Sequence, residues 1–167
     1  MKKLICLFVI SLLIVSCNSD DEKDNNTSAN HHAIIIQNIV EFRVSSNTNI
    51  DLLNPDNTNA FFLEDIKLYY EQNGVLKEIN NPIFGQYLTL VSPVESGEEY
   101  YYIAVELNTS NLENAITYIE WNSTDTDTIT ANYRSGQNFT FLTKAWYNGE
   151  LIFDEDNIPE ALPEIIK

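Results

Sequence analysis

Residues 67–79 read Lys-Leu-Tyr-Tyr-Glu-Gln-Asn-Gly-Val-Leu-Lys-Glu-Ile, and this stretch decides the fold class. Side chains alternate in polarity on the approach to Asn73-Gly74. An Asn-Gly pair between strand-like runs is the strongest short-range signal of a β-hairpin. A two-residue turn predicts two facing pairs, Tyr70 with Lys77 and Leu68 with Ile79.

A second turn signal, Asn148-Gly149, separates Lys144-Ala145-Trp146-Tyr147 from Glu150-Leu151-Ile152-Phe153. A two-residue turn there predicts that Trp146 faces Leu151 and that Lys144 faces Phe153. These pairs would share one face of the hairpin and supply much apolar area.

Alternating runs fill most of the chain after Ala33. They predict a long first strand with Ile34, Ile36, Val40, Phe42 and Val44 on one face, and further strands at residues 87–91, 100–107, 116–122, 126–133 and 138–147. The inward faces are clearest in two sets, Tyr101, Ile103, Val105 and Leu107, and Ile129, Ala131 and Tyr133.

Helical periodicity is weak throughout. Residues 111–115 are compatible with one helical turn, residues 159–166 are compatible with helix or strand, and residues 51–60 have the composition of a loop. About nine short strands predict an all-β fold. We expect an antiparallel β-sandwich of the immunoglobulin-like kind, with a barrel as the open alternative.

The charge balance is strongly acidic: nine Lys and Arg stand against 25 Asp and Glu, for a formal net charge of −16. Such a surface repels phosphate backbones, so we expect no nucleic-acid partner.

The first 16 residues have the pattern of a secretory leader. Lys2 and Lys3 supply a positive start, residues 4–15 are apolar except for Ser11, and a small residue, Ser16, precedes Cys17. The apolar run suits a signal peptide and is too short to span a bilayer comfortably.

Ile14-Val15-Ser16-Cys17 resembles the lipobox of bacterial lipoproteins. The resemblance implies cleavage between Ser16 and Cys17 and acylation of Cys17, which would tie the chain to a membrane through fatty acyl groups such as palmitate. Two or more acyl chains hold firmly where one holds marginally. Because Cys6 would leave with the leader and Cys17 would become a thioether, no disulfide is expected.

Residues 18–33 contain no large apolar side chain, which predicts a disordered acidic tether. The expected domains are therefore residues 1–16, 17–33 and 34–167. Ser19-Asp20-Asp21-Glu22 resembles the acidic surface-export signal of Bacteroidota lipoproteins, with a generic acidic linker as the alternative. His31 and His32 lie on this tether, where a solvated pair is more typical than a metal site.

The wider pattern is similar to small Bacteroidota lipoproteins that share no agreed activity. The likeness includes residues 51–55, 66–71 and 116–129 besides the lipobox and the acidic stretch. It implies a place in the cell envelope, at the outer membrane and either exposed on the cell surface or facing the periplasm, and a shared β fold. It transfers no site.

No catalytic motif is found, and residues 34–167 contain neither His nor Cys, so we expect no enzyme and no cofactor. Residues 122–127 offer oxygen ligands for Ca²⁺, with Asp125 and Asp127 as weak candidates and a plain turn as the favoured interpretation. Asp154-Glu155-Asp156 is interpreted in the same way. Asp127-Thr128-Ile129 resembles a short O-glycosylation pattern, which makes Thr128 a weak candidate.

Aromatic side chains suggest a binding surface. Five Tyr residues are expected on faces opposite buried neighbours: Tyr69, Tyr100, Tyr102, Tyr118 and Tyr147. Exposed rings on a sheet stack on sugars or pack at protein interfaces, although Tyr is also a good strand former. The function expected is a binding or accessory module for a glycan or an envelope protein. The alternatives are a structural subunit of an envelope complex and a carboxylate-dependent glycan hydrolase.

Overall fold

A computed structural model describes residues 34–79 and 87–167 of the chain. This part forms eleven strands and one four-residue helix. The strands are β1 Ile35–Gln37, β2 Ile39–Ser45, β3 Lys67–Gln72, β4 Val75–Ile79, β5 Leu88–Val91, β6 Tyr102–Glu106, β7 Ala115–Asn122, β8 Asp125–Gly136, β9 Phe139–Tyr147, β10 Glu150–Asp154 and β11 Glu164–Ile166, and helix α1 is Pro93–Ser96.

The strands form two sheets, which confirms the predicted all-β fold. One sheet has the order β1-β9-β8-β7-β3-β4, with β10 also paired to β9, and the other has the order β11-β2-β6-β5. Among the described strands all pairs are antiparallel except two, in which β1 joins β9 and β11 joins β2 in parallel. Four consecutive strands, β7 to β10, stay in one sheet, so the connectivity differs from the immunoglobulin order.

The core lies between the sheets, where inward residues of both meet. Phe42 of β2 packs edge-on against Tyr147 of β9 and Trp121 of β7, with ring centroids 5.4 and 6.5 Å apart. The predicted inward residues Ile103, Val105, Leu107 and Ile129 are fully buried, because period-two alternation sends them to the covered face.

The first hairpin has the predicted register, with Leu68 opposite Ile79 and Tyr70 opposite Lys77. Asn73 and Gly74 both have positive φ, 54° and 76°, as this tight turn requires.

In the second hairpin Trp146 faces Leu151 as predicted, but the pairing of Lys144 with Phe153 is wrong. A bulge between Leu151 and Phe153 shifts the register, so Lys144 faces Asp154 instead. The bulge lets Ile152 point into the core, where it is 7% exposed. It also places the Lys144 Nζ 3.0 Å from Asp154 Oδ2.

The predicted first strand is broken at Asn38, where the chain leaves the larger sheet and enters the smaller one. Asn38 occupies an inward position in the alternation, and its buried side-chain Nδ2 donates to the Leu107 carbonyl at 2.7 Å. Ile34 and Ile36, predicted to face inward, are 66% and 53% exposed, because β1 lies at the edge of the larger sheet.

The loop predicted at residues 51–60 is present, and Asp51 holds it. Asp51 Oδ1 accepts from the Leu53 amide at 2.9 Å and Oδ2 accepts from the Tyr101 amide at 3.1 Å. Residues 111–115 form no helical turn, and the ambiguous segment 159–166 ends in strand β11. Within residues 34–79 and 87–167, no helix has the length and apolarity needed to cross a membrane.

Candidate functional site

An open groove lies between the loop that precedes β3 and the end of β7. It encloses about 480 Å³ and is lined mainly by Phe61, Phe62, Glu64, Asp65, Lys67 and Glu120. We call it the acid–aromatic groove.

The aromatic wall of the groove is held by the core. The Phe61 ring packs on Trp121 with centroids 4.9 Å apart, and Trp121 is only 1% exposed. Phe62, the next residue, also lines the groove and is 46% exposed. A rigid ring therefore anchors the loop, while its neighbour presents an apolar face to solvent.

The polar side of the groove is organised by Glu120. Its Oε1 lies 3.1 Å from Lys67 Nζ, and its Oε2 accepts from the Tyr69 hydroxyl at 3.1 Å. These hydrogen bonds hold the pKa of Glu120 below its ordinary value and raise that of Lys67. Glu64 and Asp65 make no ion pair with any described residue, so the groove has an excess of negative charge.

A group of polar side chains surrounds the buried Asp127 carboxylate, next to the Trp121 indole. We call it the Asp127 cluster, and its members are Trp121, Asp125, Asp127, Tyr147, Asn148 and Lys167. Asp127 Oδ2 accepts from the Trp121 Nε1 at 2.8 Å and from the Tyr147 hydroxyl, and Oδ1 accepts from Asn148 Nδ2 at 2.6 Å.

Lys167 supplies the positive charge of the Asp127 cluster. Its Nζ lies 2.7 Å from Asp125 Oδ1 and also contacts Asp127 Oδ2. Burial raises the pKa of Asp127, but the hydrogen bonds from Lys167, Tyr147 and Asn148 outweigh it and leave that pKa below its ordinary value. Burial and the Asp127 carboxylate together raise the pKa of the Tyr147 hydroxyl. Asp127 is therefore ionised, and the cluster is satisfied within itself.

The two weak calcium candidates thus have a different role. Asp125 and Asp127 converge, but they converge on an ammonium group that stands where a cation would bind. No group of three or more acidic, His or Cys side chains suited to a metal ion occurs in the described part of the chain. Asp154 and Glu155 are likewise paired, with Lys144 and Arg134.

Thr128 lies half-buried in β8, opposite Tyr118. Its backbone amide donates to Asn148 Oδ1 at 2.9 Å, which fixes the strand beside the second turn. Its glycosylation stays a prediction.

Four of the five tyrosines predicted to face outward are partly exposed, whereas Tyr147 is 4% exposed and was predicted wrongly. A bulge at Thr143 in β9, opposite the step from Asn132 to Tyr133 in β8, shifts the alternation of β9, so Tyr147 points inward with Ala145. Tyr69 and Tyr118 are cross-strand neighbours on the outer face of the larger sheet. Tyr100 instead packs under the Arg43 guanidinium, 4.1 Å from its ring.

The acylation and cleavage residues Cys17 and Ser16, and the histidines His31 and His32, lie outside the described residues. Local sequence patterns did not predict the roles of Phe62, Glu64, Trp121 and Lys167, because contacts between distant positions create both the groove and the cluster. The available signal was the pair Phe61-Phe62 followed by two acids in a stretch otherwise typical of a loop.

Comparison with known proteins gives no relative: no family model, no curated protein and no solved structure matches this chain.

Proposed function

We propose that this chain is an envelope lipoprotein whose β domain is a binding module, with the acid–aromatic groove as its ligand site. The acylated Cys17 would anchor it to the outer membrane, and the tether would hold the domain away from the bilayer. The ligand class that fits is a glycan carrying amino groups. The observation that carries this proposal is the exposed Phe62 ring beside carboxylates that lack ion-pair partners.

The chemistry of the groove supports an amino sugar in particular. The apolar face of an aromatic ring stacks on the C–H face of a pyranose, while carboxylates pair with ammonium groups. Glu64 and Asp65 are exposed and need not break an existing pair to bind a cation. Lys67 does not neutralise Glu64 and Asp65, because its Nζ is already paired with Glu120 Oε1 at 3.1 Å.

The pKa shifts of the described acids give no support to the hydrolase alternative. A glycosidase needs a general acid whose pKa is raised. Within the described residues, every Asp or Glu whose pKa departs from its ordinary value is shifted downward: Glu95, Glu120, Asp127 and Asp154.

A binding experiment with glucosamine oligomers tests the proposal. The N-acetylated oligomers are the matched probe, because they keep the sugar faces and lose the positive charge. We expect the purified full-length protein to bind the amino form about tenfold more tightly, as one charge-assisted contact predicts. Equal binding of both forms, or binding of neither, would contradict the proposal.

Two variants with matched exposure locate the site. Phe62→Ala removes a ring that is 46% exposed at the groove, and Leu112→Ala removes a side chain that is 47% exposed before the opposite end of β7. The seven-residue distance along that strand separates the two positions by roughly 25 Å. We expect Phe62→Ala to lose binding and Leu112→Ala to keep it. Loss in both variants would assign binding elsewhere.

Mass spectrometry tests the anchor. The mature protein should begin at Cys17 and carry acyl groups, and the Cys17→Ala variant should lack them. An unmodified Cys17 or a retained leader would contradict the proposed location at the membrane. Proteinase treatment of intact cells then tests surface exposure, because full protection of the domain would exclude it.

A further inference from the structure

A second groove lies on the open side of the sandwich, where the edges of both sheets face each other. It encloses about 350 Å³ and is lined mainly by Ile39, Glu41, Ile152, Phe153, Ile158 and Leu162. Ile39 and Ile158 are 57% and 70% exposed, so a strongly apolar strip faces solvent. We call it the edge groove.

One wall of the edge groove is a strand edge with free peptide groups. Asn38 accepts from the Leu107 amide at 2.8 Å, which shows that even-numbered residues of β2 direct their peptide groups towards β6. Arg43 donates to the Pro163 carbonyl at 2.8 Å, so odd-numbered residues direct theirs to the other side. The peptide groups of Ile39 and Glu41 therefore point into the groove.

Nothing in residues 34–79 or 87–167 covers these peptide groups. Strand β11 pairs with β2 only over residues 43–45. Pro163, the residue before β11, has no N–H to donate to the Glu41 carbonyl, so the parallel ladder cannot continue. Two residues of a strand edge are left open beside an apolar wall.

The charge around the edge groove indicates the occupant. Glu41 lines it and Glu160 lies between two lining residues, Pro159 and Ala161. Both acids are exposed, and neither makes an ion pair with a described residue. In contrast, the nearby Glu164 is paired with Arg43 at 3.2 Å. An occupant with Lys or Arg side chains would complement this rim.

We propose that the edge groove binds an extended segment of a partner protein by strand addition, and that this segment alternates apolar with basic residues. Its backbone would pair with Ile39 and Glu41, its apolar side chains would fill the space over Ile152 and Ile158, and its cations would reach Glu41 and Glu160. A second copy of this chain fits poorly, because antiparallel pairing of two β2 edges places one Glu41 beside the other. The inference is independent of the acid–aromatic groove.

Synthetic nonapeptides test this proposal on the full-length protein. The probe alternates Val with Lys, and two controls alternate Val with Glu or carry N-methyl groups on the edge that would pair. We expect the Val-Lys peptide to bind at least tenfold more tightly than either control. We also expect it to slow hydrogen exchange at the Glu41 amide, which is open in the free protein. Equal binding of any control, no binding of the probe, or unchanged exchange at Glu41 would overturn the proposal.

Site variants complete the test. Ile158→Ser removes an exposed wall residue and should weaken binding about tenfold, as loss of a buried aliphatic contact predicts. Val94→Ser is the matched control, because Val94 is 95% exposed and lies on α1, beyond β5 and two strands from β2. Phe62→Ala should bind the peptide like the wild type. Equal loss in Ile158→Ser and Val94→Ser, or loss in Phe62→Ala, would place binding elsewhere.

Discussion

Replacing Lys167 by Met should destabilise the domain more than any other removal of a cation in its described part. Lys167 is the only positive charge there in contact with Asp127, which is 7% exposed. Met preserves most of the apolar stem and removes the ammonium. The carboxylate would then be buried with neutral donors alone, from Trp121, Tyr147 and Asn148.

The expected loss follows from this burial. Removing one partner of a buried ion pair costs about 3–5 kcal/mol. We expect the lower end, about 3 kcal/mol, because three neutral hydrogen bonds to Asp127 remain. For a domain of this size such a loss lowers the melting temperature by about 10 °C.

The assay is thermal unfolding of the wild type and the variant across pH. Hydrogen bonding depresses the native pKa of Asp127, so its contribution to stability is complete above the unfolded pKa and is lost as pH falls through the native pKa. In Lys167→Met burial is no longer outweighed, so the pKa should rise and the carboxyl should take up a proton more easily. The difference between the proteins should therefore be full above the raised pKa of the variant and should shrink as pH falls from there towards the depressed pKa of the wild type.

Lys144→Met is the control. It also removes an amine 3.0 Å from a carboxylate, but Lys144 is 41% exposed against 12% for Lys167, so solvent screens the pair. Its melting temperature should fall far less. Similar shifts in the two variants, or a Lys167→Met deficit that persists unchanged at acid pH, would refute the reasoning.

Three further results are expected. Asn108→Ala should cost about 2–3 kcal/mol by denaturant unfolding, because the buried Nδ2 donates to the Glu71 and Ile116 carbonyls at 2.7 and 3.0 Å; Ile116 would lose this donor and Glu71 would keep only the exposed Ser110 hydroxyl at 3.3 Å; a loss below half of that would contradict it. Gly74→Ala should cost about 1 kcal/mol, since Gly74 has φ +76° and open space around it, so that only backbone strain is added; an unchanged midpoint would show that the turn adapts. Millimolar Ca²⁺ and EDTA should give equal melting temperatures, because Lys167 already occupies the space between Asp125 and Asp127, and a rise with Ca²⁺ would revive the calcium site.

The sequence predicted the fold class and much of the register, because those features follow from local rules. The Asn73-Gly74 turn aligns its strands by geometry alone, and the pairs at Tyr70 and Leu68 followed. The Asn148-Gly149 hairpin obeyed the same rule for one pair and then departed from it. Alternating polarity does not encode a bulge. The bulge changes the register after Leu151 and places the Ile152 side chain in the core.

Local sequence rules could not predict the candidate sites. Lys167 meets Asp125 across 42 residues of sequence, and neither residue carries a local signal of the other. Asp127 was noticed for its acidity and interpreted as a turn or a calcium ligand, whereas the fold buries it under Trp121 and Tyr147. Only the strand order brings these residues together, and that order was left open at the sequence level.

The parallel attachment of β1 and β11 has a consequence for the order of assembly. The hydrogen bond between Arg43 and Glu164 joins residues 121 positions apart in the sequence. Strand β1 likewise pairs with residues 139–141, far from it along the chain. A chain synthesised from its N-terminus can form the β3–β4 and β7–β8 hairpins early. The β1–β9 and β2–β11 pairings can form only after the later strand of each pair has been synthesised. We therefore expect proteases to reach both pairings in a nascent chain, whereas a chain truncated before β11 should be open only along β2, where Asp127 also lacks the counter-charge of Lys167.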